Sequence, residues 1–125
     1  MRKKPPLEKE IQKQIIDYLR IKRWVVIKFN NVGIFKQETK KYIPPSQKGI
    51  ADLSVCSPQG RFIAIEVKRE KGIVTEDQKA FGEEIEARHG IYLVARSIDD
   101  IIKFVDHYEK YGIPDKKKDL STGIA

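Results

Sequence analysis

A chain of 125 residues and 14.5 kDa, 40% of it hydrophobic, suits one compact domain with a single core and leaves no room for a second. Its formal charge of +7 and pI near 9.5 favour polyanionic partners, nucleic acid before an anionic membrane, because Lys and Arg neutralise phosphates and release their counterions. No stretch approaches the roughly 18 apolar residues of a membrane span, and the opening MRKKPPLEKE lacks an apolar signal core, so the chain reads as cytoplasmic, from a prokaryote or encoded by a virus and acting in its host.

Residues 1–6 form a basic arm, residues 7–110 carry the periodicity of one folded unit, and residues 111–125 read as a loose basic tail. From Leu7 to about Lys22, apolar residues at Leu7, Ile11, Ile15, Tyr18 and Leu19 keep the three and four spacing of an amphipathic helix, and Pro5 and Pro6 suit its start. WVVIKFN at 24–30, IADLSVC at 50–56 and FIAIEVK at 62–68 are rich in β-branched and aromatic residues and predict strands. TEDQKAFGEEIEARHG predicts a second helix, with Thr75 and Gln78 at capping-box spacing and Gly90 placed to end it. IYLVA at 91–95 predicts a buried strand, and a third helix starts after Ser97. The order is α-β-β-β-α-β-α. Cys56, the single cysteine, cannot form an internal disulfide and is expected as a buried structural thiol.

The turn SPQG sets a register. Ser57, Pro58 and Gly60 suit a type I turn or a three-residue hairpin loop with a G1 bulge. Pairing Ser57 with Arg61 then places Cys56 opposite Phe62, Ser54 opposite Ala64, and Asp52 opposite Glu66 with Cβ atoms about 5 Å apart. Facing carboxylates must be solvated, share a proton or hold a cation. Lys68 leaves the same strand face as Glu66, roughly 6.6 Å along the chain. On a helical wheel Glu8 falls with the apolar stripe of the first helix, about 60° from Ile11, and is expected to point inward toward this carboxylate pair.

GIAD at 49–52, IEVK at 65–68, the earlier helical LEKEIQ and the later Gln78 together resemble the VRR-NUC group of the PD-(D/E)XK nuclease superfamily. The likeness runs from about Leu7 to Val105, and Ala51 stands where many relatives have proline. It implies a restriction-endonuclease-like α/β core, a mixed central sheet flanked by helices, and a divalent-metal-dependent DNA endonuclease acting on branched, flapped or Holliday-junction DNA. It further implies that Asp52, Glu66 and the backbone carbonyl of Val67 bind Mg²⁺ or Mn²⁺, that Glu8 completes the acidic cluster, and that Lys68 serves the attacking water. Gln78 would be the fourth motif residue. Self-standing relatives resemble junction resolvases, which implies a homodimer.

Simpler roles exist for several of these residues. Glu-x-Lys on a strand is often a solvated face, although the opposed Asp52 and the apolar Phe62 weigh against that here. Glu8 suits the first turn of any helix, and the capping box alone accounts for Gln78. His89 and His107 stand alone near helix ends and suit surface positions. Residues 30–49 read as a long connection in which Lys36, Lys40, Lys41 and Lys48 alternate with Phe35 and Tyr42, a composition suited to phosphates and bases. The alternative functions are a nucleic-acid-binding module with a nuclease-like fold that cuts nothing, and a basic adaptor with no nucleic-acid role.

Overall fold

The computed structural model describes residues 4–28, 34–36, 41–43 and 49–112, with only the backbone described at 34–36 and 41–43. Helix α1 spans Glu8–Ile21, with Ile11, Ile15 and Leu19 buried and acids in its first turn, where they favour the positive end of the helix dipole. Four strands form the central sheet: β1 (Val25–Lys28), β4 (Leu53–Cys56), β5 (Phe62–Val67) and β6 (Ile91–Ala95), in the spatial order β1-β4-β5-β6. The first three run antiparallel, and β6 lies parallel to β5. A parallel neighbour requires a crossover, which α2 (Glu76–Ala87) supplies; α3 (Ile98–Tyr111) follows β6. The core order α-β-β-β-α-β-α therefore holds.

Strand alternation divides the interior in two. Ile63, Ile65, Val67 and Leu93 face α1 and α3, where Trp24 and Phe104 join them. Ala64, Tyr92 and Val94 face α2 and meet Phe81 and Ile85. Gly82 brings α2 close, since a Cβ there would lie 2.6 Å from the Tyr92 ring. With both faces covered, β5 and β6 are buried along nearly their whole length, as parallel-paired strands are.

The β4–β5 hairpin has the expected register. The Ser57 amide donates to Arg61 O at 3.0 Å, Gly60 takes φ 85°, Cys56 pairs with Phe62, and Ser54 pairs with Ala64. The capping box of α2 forms in both directions: Thr75 Oγ1 accepts from the Gln78 amide, and Gln78 Oε1 accepts from the Thr75 amide.

Other expectations need correction. The connection between β1 and β4 contains a separate hairpin, β2 (Ile34–Lys36) and β3 (Lys41–Ile43), where a strandless loop was expected. Leu7 and Glu8 are exposed, because α1 is covered only from Ile11 onward; the wheel gives a direction but not the point where the neighbouring layer begins. Cys56 is exposed too, since it lies on the α2 side of the sheet, beside exposed Val25 and Phe62, where α2 does not reach. At the end of α2 the left-handed residue is His89 (φ 68°), not Gly90; the Gly90 amide closes the motif by donating to Ile85 O. His89 is exposed, as expected; His107 is half-buried, its ring tilted against Tyr111 and its Nδ1 buried. No helix among the described residues is long and apolar enough to cross a membrane. Residues 1–3 and 113–125 of the basic arm and tail lie outside the described residues.

Candidate active site

The antiparallel β4–β5 pair sets the start of one strand beside the end of the other. Leu53 pairs with Ile65, so the next step brings Asp52, in a bend just before β4, opposite Glu66 near the end of β5. Strand parity puts Glu66 on the α2 face with Ala64, and the residue is only 3% exposed. An isolated carboxylate at such a place is costly. Burial, joined by a hydrogen bond to Asp52 and that residue's charge, pushes the Glu66 carboxyl up to about 9; Lys68 pulls the other way and Glu8 adds to the rise. Burial and the neighbouring acid thus both favour the protonated form of Glu66.

Asp52 is held from two directions. Its Oδ2 accepts the Val67 amide at 2.7 Å, which fastens the bend to the last residue of β5. Upstream, Gly49 takes φ 71°, and a Cβ there would collide with the Asp77 carbonyl and lie 2.7 Å from the Gln78 amide nitrogen. Only a residue without a side chain lets the segment leading to Asp52 rest on the first turn of α2. Gly-x-x-Asp spacing thus has a physical reason, one that depends on a helix some 30 residues further on and so leaves no trace in local periodicity.

Lys68 lies one residue past β5, half-buried, with its amide donating to Ala95 O at 3.0 Å. Its influence on the Glu66 carboxyl places the ammonium in the same neighbourhood. Glu8 is solvent-exposed, and α1 packs on the sheet face opposite to that of Glu66; Glu8 reaches Glu66 electrostatically from the end of the helix, not from the apolar stripe. Gln78 sits half-buried at the third position of α2, with its Oε1 engaged by Thr75. Lys36 and Lys41 occupy paired positions on β2 and β3, while Lys40 and Lys48 lie outside the described residues.

The donor set bears on metal binding. Glu66 Oε1 is buried without a hydrogen-bond partner, and a second carboxylate, Asp52, adjoins it. Among the described residues no group of three or more His, Cys, Asp or Glu is disposed to hold an ion. Two adjacent carboxylates fit Mg²⁺, which usually binds one or two protein carboxylates and keeps several waters.

One feature of this end of the sheet had no sequence signal. The Arg96 guanidinium, just after β6, donates through Nη1 to Arg69 O at 3.2 Å, Glu70 O at 3.4 Å and Gly72 O at 2.6 Å, pinning the turn that follows Lys68. The turn closes on itself through the Gly72 amide and Arg69 O at 2.8 Å.

The mixed four-stranded sheet in this order has helices on both faces and carries Asp52, Glu66 and Lys68 at one end of its β4–β5 pair. Among solved structures, a VRR_NUC domain matches with a TM-score of 0.62 and 22% identity over 81% of this chain and 96% of that one. At that identity the likeness establishes a shared fold. No family model and no curated protein matches the chain.

Proposed function

We propose that the protein is a divalent-metal-dependent DNA endonuclease, with branched, flapped or four-way DNA as its substrate class. The observation that carries this reading is the buried Glu66 carboxyl beside Asp52, with one oxygen unpartnered and Lys68 two residues further on, just past the end of β5. A fold needing only stability would place an apolar residue there. Asp52 and Glu66 would hold Mg²⁺ or Mn²⁺, with the Val67 carbonyl at the strand end and Glu8 completing the shell through water. When bound, the ion would supply Lewis acidity at the phosphate and lower the pKa of the attacking water. Lys68 orients that water and offsets charge on the pentacovalent phosphate. Gln78 Oε1 is engaged by the cap, so a substrate contact would fall to its side-chain nitrogen.

The β2–β3 hairpin leaves the sheet between Lys28 and Gly49, at the end that holds Asp52. Lys36, Lys40, Lys41 and Lys48, with Phe35 and Tyr42, give this segment the composition to hold the DNA backbone and stack on bases. A homodimer would set two sites on one branched substrate, and a monomeric mass both free and on DNA would remove that part of the proposal.

The test incubates the pure protein with linear, flapped and four-way DNA in Mg²⁺, Mn²⁺ or EDTA. Cleavage that requires the ion and vanishes in Glu66→Ala and Lys68→Ala, while binding persists, is the expected result. A second reading, the binding module that cuts nothing, draws on the absence of a third clustered acid among the described residues. Binding without cleavage under every condition selects it.

A further inference from the structure

We propose that the turn pinned by Arg96, together with the segment leading into α1, forms a seat for nucleic-acid backbone phosphates beside the candidate active site, with Arg69, Lys71 and Lys4 as its cations. This rests on the nuclease reading and adds to it a second binding element, built from the turn after Lys68 and the lead-in to α1.

Three observations carry it. A depression of about 400 Å³ lies between the turn and the start of α1, lined by Lys4, Pro5, Leu7, Arg69, Glu70 and Lys71. Three of its six described lining residues are cationic, against one acid. Among the described residues none of Lys4, Arg69 and Lys71 belongs to an ion pair, although Lys13, Lys22 and Lys79 do. Cations without an ion-pair partner among the described residues have no such pair to break there when they meet a phosphate. Finally, the turn is fixed before any ligand arrives: Arg96 satisfies three of its carbonyls, and the Arg69–Gly72 hydrogen bond closes it. Arg69 and Lys71 therefore project from a rigid loop, and holding them in place on binding costs less ordering than a mobile loop would.

The seat is also where the substrate needs help. Near the site, the carboxylates of Glu8 and Asp52 repel the phosphates on either side of the one to be cut. Lys68, Arg69 and Lys71 follow Glu66 within five residues and set positive charge next to it. Lys4 approaches from the segment leading into α1, the helix that supplies Glu8.

The test measures affinity of the full chain for a fluorescent DNA duplex and for the corresponding single strand between about 50 and 200 mM salt, in the Glu66→Gln background so that cleavage does not intervene. Each phosphate contact contributes about 0.9 to the slope of log K against log salt on duplex and about 0.7 on single strand. Arg69→Gln/Lys71→Gln is expected to lower that slope by about 1.4 to 1.8. A matched pair on α3, Lys103→Gln/Lys110→Gln, removes the same charge from an exposed helix face and is expected to change it by less than about half as much. Equal losses in the two double variants would mean diffuse attraction and would overturn the seat, as would an unchanged slope in Arg69→Gln/Lys71→Gln. If the parent protein binds DNA but never cleaves it, the nuclease reading fails while the seat survives. Cleavage by the wild type with unaltered slopes sinks the seat alone.

Discussion

Glu66 is the residue on which the proposed chemistry turns, and its protonation makes a stability prediction with a definite sign. Its folded pKa of about 9 lies above the ordinary carboxyl value of 4.5, so the folded state holds a proton that the unfolded state releases between those limits. Stability contributed by this group is thus intact below about pH 4.5, falls as pH rises toward 9, and then levels off. At pH 7 the cost is about 3 kcal/mol. Glu66→Gln keeps the shape, donates to Asp52 and never ionises, so it is expected to raise the melting temperature by several degrees at pH 8 and by nothing near pH 4.5. Thermal unfolding of both proteins across that range checks it; a variant less stable than wild type at pH 8 would show that the carboxyl is already ionised. A divalent ion at the same place must displace the proton. Its affinity is therefore expected to rise nearly tenfold per pH unit between about 7 and 9, with one proton released per ion, measurable by calorimetry in buffers of different ionisation enthalpy.

At the scale of elements, the site depends on a strand lead-in resting against a helix start. Gly49 and Gly60 both have positive φ, but a Cβ at Gly60 meets nothing within 4 Å, whereas one at Gly49 runs into the backbone of α2. Gly60→Ala bears only conformational strain, about 1–2 kcal/mol. Gly49→Ala adds the collision and is expected to cost at least about 2 kcal/mol more, and to abolish the proposed metal-dependent cleavage, which Gly60→Ala should leave intact. Denaturant midpoints and a cleavage assay separate the two. Much of this layer was legible in the sequence. SPQG announced its hairpin and with it the approach of Asp52 to Glu66; Thr75 and Gln78 announced their cap; the three helices announced their periods. Cys56, Leu7 and Glu8 were misplaced for one common reason: periodicity tells which way a side chain points, but coverage depends on how far the opposing layer extends. The three-residue strands β2 and β3 were missed because neither is long enough to show alternation. Arg96 gave no warning, since its partners are backbone carbonyls more than 20 residues away, and carbonyls are present in any sequence.

For the whole molecule, the question is whether two interiors mean two independently melting halves. The sheet forbids it. β5 and β6 send alternate residues to opposite sides: Ile63, Ile65 and Val67 to the α1–α3 interior and Ala64 with Glu66 to the α2 side; on β6, Leu93 to the former and Tyr92 with Val94 to the latter. Losing either helical layer uncovers one face of strands whose other face remains packed, so neither interior can melt while its partner keeps the strands in register. Leu93→Ala should cost about 2–5 kcal/mol and Val94→Ala about 1–3 kcal/mol. Although they empty opposite faces, each should shift a single transition to lower denaturant with an unchanged slope, and circular dichroism should coincide with Trp24 fluorescence, which reports from the α1–α3 side alone. A Val94→Ala protein whose Trp24 signal outlasts its loss of helix would show the α2 layer peeling away by itself. The Glu66 carboxyl would then be exposed to water, its pKa would return toward the ordinary range, and the pH dependence expected of Glu66→Gln would disappear in that background.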